Sequence, residues 1–254
     1  MKNKILDDVY GNKGFFDQLS ISDKDLTIIR ELITSQFHEV LLLRHPDLEN
    51  EIQNLQLTDY HEFENKYSSV NHGSLWPKIN RIFSYEAKEN FKKLDFFEYL
   101  ESQLGPIKIS NEEEIYDEEV YWRLARPSGN DVGPMHADRW FWDLGHGKMD
   151  SHLERIKIWI AIYNEAGESG LRYVSGSHKQ DWPYSGQKRD GFIKPMIGVS
   201  DDKLDIEKFL ANSGDALIFN DKLLHGGFTG GSYSRVSIEC TLMIPKEKLT
   251  QYVK

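Results

Sequence analysis

The sequence predicts a mainly β fold with helical flanks. A double-stranded β-helix (jelly roll) core is expected over residues 106–254, and a largely α-helical half over residues 1–105. Three observations predict this. Before Gly105-Pro106, apolar residues recur at helical spacing; after it, they alternate. The strands of the second half are short and bounded by glycines, as in a closed two-sheet architecture. The residues best suited to metal chemistry lie on separate strands of that half. No repeat or low-complexity linker interrupts the 254 residues, so the chain reads as a single domain, with the helices packed outside one sheet.

In chain order, Ser22-Asp23-Lys24-Asp25 resembles a capping box with Asp in place of Glu. The helix it opens carries Leu26, Ile29, Leu32, Ile33, Phe37, Val40 and Leu41 on one side, and His45-Pro46 stops it. A polar stretch follows over 47–75. A second helical zone runs from Pro77 to Leu104, with a break expected near Asn90 or Asp95. The acidic run Glu112-Glu113-Glu114 with Asp117-Glu118-Glu119 reads as a solvated edge. Strands are expected over 119–126, 155–164, 171–174, 215–220 and 234–244, the clearest being Arg155 to Asn164 with its alternating isoleucines.

The formal net charge of −10 argues against nucleic acid or an anionic membrane surface as partner. No apolar run approaches the ~20 residues that span a bilayer. The stretch Met1 to Asp8 lacks the apolar centre of a signal peptide, and Cys240 is the one cysteine. That excludes an internal disulfide and multi-cysteine zinc sites, and a reducing cytoplasm is the expected compartment.

The chemistry centres on Gly133-Pro134-Met135-His136-Ala137-Asp138-Arg139-Trp140. Residues i and i+2 of a strand share a face, so His136 and Asp138 present an imidazole and a carboxylate side by side. Two histidines and one carboxylate on one side of a metal leave three positions open, as in non-haem Fe(II) oxygenases. His225 is the candidate third ligand: an apolar run leads into it, and Gly226-Gly227 suggests a tight turn after it. Ten residues on, Arg235 shares a strand face with Ser237, Glu239 and Thr241, opposite Val236, Ile238, Cys240 and Leu242. A guanidinium beside a hydroxyl suits a carboxylate guest.

These residues, with Ile158-Trp159-Ile160-Ala161, the segment Gly170 to His178 and the Gly214-Asp215 turn, resemble the phytanoyl-CoA dioxygenase-like branch of the Fe(II)/2-oxoglutarate oxygenases. The resemblance implies a jelly-roll core, iron on His136, Asp138 and His225, and 2-oxoglutarate anchored on Arg235 and Ser237 with Trp159 packed against it. It implies O2 as second cosubstrate, and succinate and CO2 as coproducts. Two positions depart from the family pattern: Ser175 stands where Pro is frequent, and Gly227 where a hydroxyl residue often contacts the cosubstrate. In related halogenases a small residue stands at the position of Asp138; a carboxylate there favours hydroxylation or desaturation. Other readings are a non-redox, cupin-like isomerase or hydrolase using a divalent ion, and a catalytically silent jelly-roll binding protein. Arg235-x-Ser237 argues against the former, the complete triad against the latter.

The expected partner is a small-molecule substrate. If the strand continues past Asp138, Trp140 and Trp142 share its face and form an aromatic shelf, with Arg172 nearby to bond hydroxyls or acids. A polar, ring-containing guest such as a sugar, a sugar nucleotide or a cyclic metabolite fits that surface better than an acyl-CoA, whose phosphates require a basic cluster. His178, in a Ser-Gly-Ser-His turn, reads as a structural hydrogen-bonding residue; His146 and His152 read as loop residues, and His72 as a surface residue.

Overall fold

The alternation seen after residue 106 becomes antiparallel sheet in a computed structural model, which describes residues 3–111, 114–115, 117–147, 150–189 and 192–252. The strands are β1 (Phe15–Ser20), β2 (Lys108–Ile109), β3 (Tyr121–Ala125), β4 (Leu153–Tyr163), β5 (Gly170–Tyr173), β6 (Tyr184–Arg189), β7 (Phe192–Ile197), β8 (Glu207–Lys208), β9 (Asp215–Asn220), β10 (His225–Phe228) and β11 (Arg235–Pro245). The larger sheet has the order β1-β9-β4-β11-β2, with β3 also paired to β11. A smaller sheet has the order β10-β5-β8, and β6 and β7 form a separate hairpin. Although expected in a helical region, β1 pairs with β9, because Phe15, Phe16 and Leu19 complete the sheet edge.

The larger sheet divides by alternation. Ile156, Ile158, Ile160 and Ile162 of β4 and Val236, Ile238, Cys240 and Leu242 of β11 join the helices in one apolar core. Ile29, Ile33, Phe37 and Leu41 of the helix Asp23–Arg44 meet them there, each fully buried. Each such aliphatic or aromatic side chain stabilises the fold by roughly 1.5–3 kcal/mol relative to exposure. The opposite face carries Trp159, Ala161, Leu217 and Phe219, which pack on Leu171 and Tyr173 of the smaller sheet. The candidate site residues lie between the two sheets.

The helices start and stop on identifiable chemistry. Ser22 accepts a bond from the Asp25 N–H at 3.1 Å and caps the long helix. The second helical zone is broken after Lys92; its last helix, Asp95–Leu104, has no local side-chain cap. Instead the buried carboxylate of Asp25 accepts the Phe96 N–H at 3.0 Å, tying one helix start to the other. Gly105, at φ 83°, ends that helix where a side chain would be strained. Within the acidic run, Glu119 is not solvated: it is buried, and Lys78 donates to it at 2.7 Å. Glu112 and Glu113 lie outside the described residues.

Candidate metal centre

His136, Asp138 and His225 converge, with one ligand atom from each inside a 4.8 Å group. Backbone pairing brings them together: His136 and His225 form an isolated antiparallel bridge, exchanging bonds of 2.9 and 2.8 Å. His136 Nε2 lies 3.7 Å from Asp138 Oδ1, and His225 Nε2 lies 3.6 Å from Asp138 Oδ2. Each ring places Nδ1 on a carbonyl, His136 on Pro134 at 2.8 Å and His225 on Leu223 at 3.0 Å. A carbonyl only accepts, so Nδ1 carries a proton in each ring and Nε2 is the nitrogen turned to the shared space. Burial pushes the His225 imidazolium pKa down to about 4, against the attraction of Asp138, so the ring is neutral at neutral pH.

The glycines after His225 do not form a turn. They sit inside β10, and the turn precedes the histidine, between Asn220 and His225. Their role is close approach. A Cβ on Gly226 would meet Met135 Sδ and the Pro134 oxygen at 3.2 Å. A Cβ on Gly227 would meet Val132 Cγ1 at 2.7 Å. The segment 132–136 can therefore lie against β10, and Val132 occupies the space a hydroxyl side chain at 227 would need.

Asp138 already has helical backbone angles, φ −62° and ψ −30°, so extended chain stops before it. Residues Arg139–Asp143 form a short helix with Asp138 at its N-cap, so the strand expected to reach Trp142 is absent. The shelf geometry is lost with it. Trp140 turns away from the centre, joins Met135, Ala137 and Leu224 in a separate cluster, and stacks on Tyr184 at 4.6 Å. Trp142 lies over the Arg155 guanidinium at 4.0 Å. Phe141 sets its ring edge against His136, centroids 5.7 Å apart. Arg172 sits between inward-facing Leu171 and Tyr173, so it points outward, where it pairs with Asp201 at 2.9 Å.

Arg235 and Ser237 occupy the inner face of β11 and are buried. Arg235 donates through Nη1 to the Gly170 carbonyl and lies 6.0 Å from the Trp159 ring. Its Nε and the Ser237 Oγ are buried without a hydrogen-bond partner among the described residues. Burial pulls the Arg235 pKa down to about 10, Glu239 opposing, which leaves it a cation at neutral pH.

Inner-face charges on β4 and β11 complete the site. Lys157 Nζ is 3.8 Å from Asp138 Oδ2. Burial disfavours the Asp138 carboxylate, yet Lys157, His225 and His136 together hold its pKa well below the ordinary range. Glu239 accepts from Arg123 at 2.7 Å and from the Tyr121 hydroxyl at 3.1 Å. Burial opposes its charge, but Arg123 and then Lys157 bring its pKa to about 2. Arg155 faces Asp221 at 3.2 Å, and burial raises the Asp221 pKa to about 6 despite Arg155 and Arg139. The signal for these residues was available: Arg155 and Lys157 alternate with isoleucines and share the face of Trp159.

Of the remaining histidines, His178 bonds the Gly11 carbonyl at 3.1 Å and is structural in position. His146 reaches the Ile193 carbonyl at 2.7 Å. His72, expected at the surface, is partly buried and lies 3.6 Å from Asp131.

The sequence model of the phytanoyl-CoA dioxygenase (PhyH) family matches residues 116–235, a span that includes all three converging residues and ends on Arg235. Over that span, 120 of the 254 residues, the chain is similar to this family. No curated protein matches it. AviO1 from Streptomyces viridochromogenes Tue57 is similar in structure at a TM-score of 0.53 and 10% identity, over 95% of this chain and 94% of that one. EvdO2 from Micromonospora carbonacea var. aurantiaca, solved with 2-oxoglutarate, gives 0.52 and 12% over 96% and 91%. EctD from S. alaskensis, solved with bound Fe, gives 0.52 and 9% over 95% and 76%. At such identities the likeness is one of fold. Among the described residues no helix is long and apolar enough to cross a membrane.

Proposed function

We propose that this protein is a phytanoyl-CoA dioxygenase-like, Fe(II)/2-oxoglutarate-dependent oxygenase that hydroxylates a small, polar or ring-containing metabolite. The carrying observation is the convergence of two imidazole Nε2 atoms on one carboxylate, at 3.6 and 3.7 Å. Ligands on adjacent positions of one ion stand ~3 Å apart, so the set fits a divalent metal. The strand order supports a double-stranded β-helix, with His136 and β10 on one sheet and Arg235 on the other.

The residues divide the work. His136, Asp138 and His225 would hold the iron on one side. The unpartnered Arg235 Nε and Ser237 Oγ are donors suited to the far carboxylate of 2-oxoglutarate, with Trp159 beside it. The bound iron and cosubstrate supply the oxidation, releasing succinate and CO2. The protein binds, orients and excludes water: Phe141 covers one side of His136, and the apolar Leu217, Phe219 and Leu171 line the space between sheets. Substrate approaches over His136 and Asp138, the more exposed ligands. Arg123, with 41% of its side chain exposed on the inner face, takes the recognition role expected of Arg172.

The second reading, a non-redox metal-dependent isomerase or hydrolase, is favoured by one observation: Lys157 and Glu239 flank the centre as a buried cation and a partly buried carboxylate. Succinate separates the two. A screen of small-molecule pools with Fe(II), 2-oxoglutarate and air should find substrate-stimulated succinate release. Metal-dependent turnover of a substrate without succinate would select the second reading.

A further inference from the structure

Asp138 stands at the N-cap of the helix Arg139–Asp143, yet its side chain caps nothing. An aspartate there usually accepts an N–H of its own helix. This one is turned to the metal side, Oδ1 facing His136 and Oδ2 facing both His225 and Lys157. Lys157 is itself unusual. It occupies an inner-face position of β4 next to Trp159, with its side chain only 4% exposed, in a strand otherwise rich in isoleucine. A buried ammonium is costly unless matched by negative charge. Asp138 supplies that charge at 3.8 Å, and Glu239 lies on the neighbouring strand, where Lys157 is among the charges holding it ionised.

A carboxylate can bind a metal through one oxygen or through both. The difference matters here. Three protein ligands leave three positions open, two for a chelating cosubstrate and one for a further ligand. A second Asp138 oxygen would close one of them.

We propose that Lys157 is a positioning residue for Asp138: it engages one carboxylate oxygen, so that the metal takes Asp138 through the other and three positions stay open. This rests on the metal-centre reading above. The site then has two arms along the inner face. Arg235 and Ser237 lie at one end of β11, and Lys157, opposite Thr241 towards the other end, sets how the metal is held.

The test uses Mn(II) alone, with no cosubstrate. Free Mn(II) is counted by electron paramagnetic resonance, and water-proton relaxation reports how many waters the bound ion carries. Lys157→Met is expected to fold, to lower the relaxation per bound ion by about one third as one of three water positions closes, and to bind Mn(II) at least severalfold more tightly, because a neighbouring cation is gone. Lys157→Arg should restore both values. If Lys157→Met does not fold, Lys157→Gln is measured in the same way. Unchanged relaxation per bound ion overturns the proposal, whether binding is equal to wild type or weaker; weaker binding with unchanged relaxation is the signature of a lysine that only supports the fold. If wild type itself binds no Mn(II), or if His225→Ala binds it equally well, the metal centre falls and the role of Lys157 with it. Normal wild-type binding with an unaffected lysine variant removes only the latter.

Discussion

Removing the Arg235 guanidinium should separate cosubstrate binding from metal binding. The side chain is 3% exposed and, among the described residues, makes one bond, Nη1 to the Gly170 carbonyl, while its Nε has no partner. A hydrogen bond to a charged group contributes about 1.5–3 kcal/mol, so Arg235→Ala should weaken 2-oxoglutarate binding by about 10- to 150-fold. Arg235→Lys keeps the charge without the planar fork and should lose less. Truncation also strips the Gly170 carbonyl of its donor, at about 1–3 kcal/mol of stability, so thermal unfolding is measured alongside. The assay is an anaerobic titration of the Fe(II) protein with 2-oxoglutarate, with iron content measured on the same sample. Unchanged cosubstrate affinity in a folded, iron-loaded Arg235→Ala would refute the reasoning and place the anchor elsewhere.

Three further outcomes are expected. His136→Ala, Asp138→Ala and His225→Ala should each lose most iron affinity while keeping the far-ultraviolet circular dichroism of the fold; normal iron binding by one of them removes that residue from the centre. Gly227→Ser should destabilise the protein by about 1–3 kcal/mol, because its Cβ would lie 2.7 Å from Val132 Cγ1; Val132→Ala should recover part of the loss, and an unaltered melting temperature for Gly227→Ser would show that segment 132–136 yields freely. Asp221 has its pKa raised to about 6 by burial, so its folded form holds the proton more tightly than its unfolded form. Stability from this group is therefore present below about pH 4 and lost as pH rises to about 6, on the order of 3 kcal/mol. The stability of wild type relative to Asp221→Asn should fall across that window in urea unfolding of the metal-free protein, and a pH-independent difference would contradict it.

The sequence carried much of the second half because one face of its sheet is buried against helices. Isoleucines at 156, 158, 160 and 162 can satisfy that face in only one register. The same periodicity put Arg235 and Ser237 together on the inner face. On β4 it likewise sets Lys157 and Arg155 beside Trp159. What escaped was mostly set by neighbours distant in sequence. Phe15 to Ser20 pairs with β9 only because that edge is open, and nothing local marks it as strand. The helix at Arg139 ended the strand that Trp140 and Trp142 were expected to share; Arg139 N bonds the Asp221 carbonyl at 2.8 Å, a contact 82 residues away that fixes where the helix begins. Gly226-Gly227 gave the right residues for the wrong reason, since the close approach of Pro134 is invisible until both segments are in place.

The central claim is that three side chains hold an iron which a 2-oxo acid then chelates. The most direct test is the visible charge-transfer absorption of the anaerobic Fe(II) protein on adding 2-oxoglutarate, which needs no substrate. A new band should saturate at one equivalent per chain, be absent in His225→Ala, and need far more 2-oxoglutarate in Arg235→Ala. A wild-type protein that binds one iron and shows no such band would contradict the claim.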